Sequence, residues 1–224
     1  VPLVRTSRRV TAGRPPGGLP GHFARSMLAD RPVPDWLRAM ESHAAENAPD
    51  VRAIAAVSRN GVIGAGGRLP WHLPEDVAYL HEQVAGGVVV EGRRCYESRG
   101  RAFPGARATV VLSGRADWNP SDATVCPSLP AAIAEASARG RPVWIAGGER
   151  VYAEGLPYCG LLHLTLIDAD FDGDTFFPVD WRERFPVELY RRESRHDGLS
   201  YAFLVLATGR SPSSADGRTE EPAA

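Results

Sequence analysis

Glu75 and Asp76 stand side by side at the start of LPEDVAYLHEQV, residues 73–84. Leu73, Val77, Leu80 and Val84 follow the helical period, which places Asp76 beside the apolar stripe and turns Glu75 toward solvent. A carboxylate at the edge of an apolar cleft can accept two hydrogen bonds from one edge of a heterocycle, or hold a proton at a shifted pKa. The same two acids would equally serve only to offset the helix dipole. A second set of chemically useful residues sits at two glycine-bearing strand-to-helix turns, VVVEGRRCYES at 88–98 and VWIAGGERVYAEG at 143–155. Helix N-termini there offer free N–H groups to anions, and Arg93, Arg94 and Arg150 add charge beside them, which suits a phosphorylated ligand. Neither turn has the GxGxxG or P-loop pattern. Taken locally, Gly92, Gly147 and Gly148 could equally do no more than permit tight turns beneath a solvated arginine rim.

These residues need a scaffold, and the chain between about 51 and 210 supplies the signals of one. Strand-length apolar runs, RAIAAVS, GVVVEG, ATVVLS, ATVC, PVWIAGG and LLHLTLID, alternate with helical stretches at 74–84, 93–99, 128–138 and 148–156. Ser128 and Pro130 give the third of these a cap and a first-turn proline. The ending SRHDGLSYAFLVLATG reads as a turn at His196, Asp197 and Gly198 followed by a long strand. The predicted fold is α/β: a mixed, mostly parallel central sheet of about eight strands, helices on both faces, and a C-terminal antiparallel hairpin. In such a sheet the ligand crevice lies at the carboxyl ends of the strands, where the two glycine turns fall.

Composition narrows the partners. With a formal net charge of −1 and mixed charges, the chain carries no basic footprint for nucleic acid or a membrane surface. A small-molecule substrate is expected. The sequence contains arginine but no lysine, so lysine chemistry is excluded. Cys95, Cys126 and Cys159 are odd in number and lack metal-ligand spacing, which fits free thiols in a reducing compartment and no metal site. No apolar run approaches the roughly 18 residues that span a bilayer, and a cytoplasmic protein is predicted. Residues 1–50 form an N-terminal extension, predicted flexible around RRVTAGRPPGGLPGH with a short helix at Trp36, Leu37 and Met40 behind Asp35. The catalytic domain is predicted over 51–210, and 211–224 as a disordered tail.

Five stretches in order, IAAVSRNGVIGAGGRLPWHLPEDV, EGRRCYES, FPGARATVVLS, VWIAGGERVYAEGLP and LTLIDADFDGDTFFP, together resemble the dihydrofolate reductase family. The resemblance implies that family's fold, NADPH as cofactor, and reduction of 7,8-dihydrofolate to tetrahydrofolate by hydride transfer to C6 and protonation of N5. It implies that Asp76 binds N3 and the 2-amino group of the pterin, that Thr165 hydrogen-bonds this carboxylate, and that Trp71 and Leu69 lie beside the pterin on the proton's path. Ile54, Ala56, Val77, Leu80, Arg99, Arg107 and Ile145 would complete the substrate side. The cofactor side would comprise Ala56, Ile63, Gly92, Arg93, Arg94, Cys95, Ser113, Gly147, Gly148, Glu149, Arg150, Val151 and Tyr152, with Gly147 and Gly148 joined by a cis peptide. A monomer is expected by the same resemblance.

The sequence also departs from the family's pattern. Glu91, Cys95 and Tyr96 replace an apolar residue, Thr and Trp on the cofactor side, with Glu91 expected to pair with one of the phosphate arginines. On the substrate side Leu80 replaces Phe, Arg99 replaces an apolar residue, and one residue is inserted before Arg107, while His81 and Arg101 are the nearby basic groups. Two other functions therefore stand beside folate reduction: a reductase of the same fold acting on another pterin or C=N compound, and a cofactor-binding or interaction protein without turnover.

Overall fold

The structure, a computed structural model, describes residues 50–209 apart from Arg141; the helix expected at Trp36 and the tail expected at 211–224 lie outside them. Strand β1 (Val51–Ser58) runs through the middle of the sheet and decides which residues face which layer. Its side chains alternate, Ala53, Ala55 and Val57 to one core and Ile54 and Ala56 to the other, so both faces of the strand are covered. The first core is closed by α3 (Leu129–Arg139) and α4 (Glu149–Gly155). The second is closed by α1 (Pro74–Val84), through Leu73, Tyr79 and Val84. Helices on both faces, as predicted, follow from this alternation.

Eight strands make the main sheet, in the order β5-β4-β3-β6-β1-β7-β10-β9. These are β3 (Val88–Gly92), β4 (Ala108–Leu112), β5 (Thr124–Cys126), β6 (Val143–Ile145), β7 (Leu161–Ile167), β9 (Val187–His196) and β10 (Leu199–Ala207) beside β1. Every pairing from β5 through β7 is parallel, and β10 alone runs against its neighbours. Asp197 and Gly198 turn β9 into β10 with φ of 46° and 82°, the mirror-image turn that matches the twist of a hairpin. Helix α2 (Arg93–Arg99) follows β3 directly, and α4 follows β6 after Ala146, Gly147 and Gly148. Among the described residues no helix is long and apolar enough to cross a membrane.

Three elements escape the periodicity reading. Strands β2 (Val62–Gly64) and β8 (Thr175–Phe176) form a separate antiparallel pair, and α5 (Trp181–Arg184) spans a single turn. All are too short to show a period. The hairpin's first strand is also longer than the turn signal implied. In VELYRRESRH the alternation is one of partly covered and exposed polar residues, with Tyr190, Arg192, Ser194 and His196 on the covered side. Hydropathy does not register that pattern.

Packing is tight where β3 enters the sheet. A methyl group on Gly87 would lie 2.8 Å from both the Pro142 carbonyl oxygen and the Trp144 ring. Gly87→Ala is expected to cost about 1–3 kcal/mol in urea unfolding, because a backbone carbonyl and a buried indole cannot both give way.

Candidate active site

A cleft of about 1210 Å³ opens over the carboxyl ends of the parallel strands, lined from β1, β3, β4, the segment after β6, the first turns of α1, α2 and α4, and the loop after β2. Asp76 reaches it from α1 with its side chain almost wholly buried. Burial pushes its carboxyl up to about 6; the Thr165 hydroxyl, donating to it from β7, opposes that rise, and the neighbouring Glu75 charge adds to it. Thr165 is itself buried beneath the cleft. Glu75 does not turn to solvent as the pattern suggested. It accepts hydrogen bonds of 2.6 Å each from Arg192 Nη1, Ser194 Oγ and Tyr201 OH on the C-terminal hairpin, and these hold its carboxyl below the usual range against the effect of burial.

The Gly-rich loop after β2, carrying Gly66 and Gly67, lines the cleft and is fastened at two points. Asp174 Oδ2 accepts from Gly66 N at 2.9 Å, and Ser98 Oγ on α2 donates to Gly67 O at 2.9 Å. Leu69 is exposed at the cleft lining, while Trp71 is buried edge-on to Phe171 at 5.2 Å. The Trp71 indole N–H has no protein acceptor among the described residues.

The two glycine turns meet. Gly92 N donates to Gly147 O at 2.8 Å, and a methyl group on Gly148 would sit 3.2 Å from Cys95 Sγ. The Gly147–Gly148 peptide is cis. Arg93, Arg94, Ser113, Glu149, Arg150, Val151 and Tyr152 line the cleft around this junction with Ala56, Ile63 and Cys95. Arg93 and Arg150 pair with Glu97 and Glu154 one turn along their own helices. Burial and the nearby Glu91 charge push the Cys95 thiol up to about 11, so it stays protonated.

Glu91 pairs with Arg99, not with a phosphate arginine. Its carboxylate is fully buried, takes Arg99 Nη1 at 2.9 Å and contacts Nη2, while Arg99 Nε donates to the Arg101 carbonyl at 3.0 Å. The guanidinium lies over the Phe103 ring at 4.3 Å. The two residues that depart from the expected pattern, Glu91 and Arg99, are thus partners of each other.

Several predicted site residues fall outside the cleft lining. Ile145 is completely buried against Gly155 in the core under α4, and Ala146 takes the lining position. A one-residue difference along a strand exchanges its faces. Val77 is exposed and turned away from the cleft, with Leu80 alone of the two lining it. Arg107 is exposed with its stem against Gly140, at the opposite end of β4 from the cleft. Ile54 lines the cleft where it was expected.

A profile of the dihydrofolate reductase family matches residues 50–208. The chain belongs to that family. Dihydrofolate reductase type 3 of Salmonella typhimurium is 42% identical over 137 residues, covering 59% of this chain and 83% of that protein. The dihydrofolate reductase of Neisseria meningitidis serogroup A is 36% identical over 159 residues, 69% of this chain and 95% of that one. Among solved structures, the Enterococcus faecalis dihydrofolate reductase complexed with NADP(H) and RAB-propyl superposes with a TM-score of 0.66 at 30% identity, covering 71% of this chain and 96% of that one. Family membership makes the eight-stranded sheet and the cleft at its strand ends the expected arrangement. Ala146, Phe103 and the hairpin partners of Glu75 are not among the site residues that the sequence pattern singles out.

Two outcomes follow from these charges. Arg99→Leu alone strands a buried carboxylate and should lower stability by about 3 kcal/mol, whereas Glu91→Met with Arg99→Leu should restore most of that loss in denaturant melts. Asp76 holds its proton more tightly when folded than unfolded, so its contribution to stability is present at low pH and lost as pH rises from the ordinary 3.8 through about 6. Relative to Asp76→Asn, the parent should therefore lose up to about 3 kcal/mol between about pH 4 and about pH 7.

Proposed function

We propose that this chain catalyses the NADPH-dependent reduction of 7,8-dihydrofolate. The observation that carries the reading is a buried carboxylate, Asp76, hydrogen-bonded to Thr165 and opening into the same cleft as two abutting glycine turns flanked by arginines. The cofactor fits the chain's own atoms. Gly92 and Gly148 bring backbone to the cleft, and a methyl on either would crowd Val151 Cγ2 at 3.3 Å or Cys95 Sγ at 3.2 Å. Arg93, Arg94, Arg150 and Ser113 would hold its phosphates by charge and hydroxyl donation. NADPH, when bound, supplies the hydride.

The protein's part is placement and proton handling. An ionised Asp76 presents two acceptor oxygens, which suit the two adjacent donors of a pterin at N3 and the 2-amino group. Electron density pressed into the ring from that side raises the basicity of N5, where a proton must be added as the N5=C6 double bond is reduced. The Thr165 hydroxyl fixes which way the carboxylate faces. The buried Trp71 N–H needs an acceptor, and a water or ligand oxygen beside the pterin would supply it. Fastened to Asp174 and Ser98, the Gly-rich loop keeps bulk water from the reacting edge.

A second reading, a reductase acting on another pterin or C=N compound, is favoured by the placing of two arginines. Arg99 is committed to Glu91, and Arg107 lies outside the cleft with its stem against Gly140. Loss of nicotinamide absorbance with dihydrofolate and NADPH decides between the readings, with NADH as the control. Rapid oxidation of NADPH is expected with the parent, falling about 100-fold or more in Asp76→Asn. Unchanged turnover in that variant removes Asp76 from the mechanism. NADPH binding without folate-dependent oxidation gives the second reading precedence.

A further inference from the structure

Helix α1 begins without a side-chain cap: Leu73 occupies the cap position and Pro74 the first turn. Something else must fix the direction in which that turn points. In the sheet beneath it, Thr165 of β7 pairs with Phe203 of β10, which pairs with Arg192 of β9, so the three lie in one row across adjacent strands. The next row on the same face carries Tyr201 paired with Ser194. Asp76 binds the first row at Thr165, and Glu75 binds both rows through Arg192, Ser194 and Tyr201. Arg192 is itself braced, 4.4 Å over the Phe203 ring. Two consecutive carboxylates of an uncapped turn thus grip one face of the sheet at separate points. Rotation of the turn about either contact is resisted by the other.

We infer that Glu75 is a positioning residue: through the C-terminal hairpin it fixes both the place of Asp76 and the charge beside it. The inference rests on the reading of Asp76 as the substrate-binding carboxylate. Few other groups face Asp76. Thr165 comes from β7, Ile54 and Ala56 of β1 carry no charge, and the fully buried Tyr152 of α4 donates to Ile54 O at 2.6 Å and stays neutral. Glu75 is faced by Arg192, Ser194 and Tyr201, with His72 and His196 forming the next pair toward the hairpin tip. The arrangement therefore has a signed consequence. Removing the Glu75 charge eases ionisation of Asp76, and removing the Arg192 charge, which shields Glu75, hinders it.

NMR titration of labelled aspartate carboxyls in the full chain, without ligand, reads this directly, the Asp76 signal being the one missing from Asp76→Asn. Glu75→Gln should move the Asp76 midpoint down by about half a unit or more, and Arg192→Met, which keeps the stem over Phe203, should move it up. Midpoints that stay put in both variants, or move in the same direction, overturn the inference. If Glu75→Gln does not fold, an upward shift in Arg192→Met sustains the inference and its absence refutes it. The titration needs no turnover, so failure of the chain to reduce dihydrofolate would count against the proposed function and leave this readout intact.

Discussion

A carboxylate does not enter a protein interior without partners, because taking its charge from water costs more than packing returns. Much of this structure is arranged around that constraint at Asp76. The Thr165 hydroxyl meets it from β7, and α1 brings it to the cleft instead of the solvent face. What remains uncompensated appears as a carboxyl that holds its proton to about 6. Under the proposed function the residual tension is useful, since a ligand that brings two donors would resolve it. A site already satisfied would have little left to offer a heterocycle.

The same constraint is met differently at Glu91. There an arginine supplies a full counter-charge, and the pair is closed by the Arg101 carbonyl and the Phe103 ring. Both carboxylates line one cleft, yet Glu91 already has its cation and Asp76 has only a hydroxyl. The cleft is thereby polarised along its length. One wall is left able to accept donors from a ligand, and another is internally neutralised. Shape alone would not give a bound molecule its direction as firmly.

How much of this was legible in the sequence depends on the length scale of each signal. Strand runs such as VVVEG and LLHLTLI, and helices with a cap or proline at the start, declare themselves because every residue repeats the message. Asp76 was legible as a carboxylate beside an apolar stripe. Its neighbour Glu75 was not, since its partners at 192, 194 and 201 are brought to it only by the hairpin's register. Ile145 was assigned to the cleft and Ala146 fills it, because alternation along a strand gives the period but leaves the phase to be set by the sheet. The Glu91–Arg99 pair shows another limit. Each residue alone reads as a departure from the family, and their complementarity is visible only when the turn of α2 brings them together.

The hairpin that steadies Glu75 also forms one border of the eight-stranded sheet. An outer strand of ten residues would ordinarily be an invitation for another chain to add itself, hydrogen bond by hydrogen bond. Here the exposed residues from Glu188 onward, Glu188, Arg191, Glu193 and Arg195, are all charged. An incoming strand would have to strip water from them. At the other border β5 is only three residues long and offers little ladder to extend. Resistance to edge-to-edge aggregation is therefore built into the strand whose opposite face holds Glu75, and substitutions in it are constrained from both sides at once.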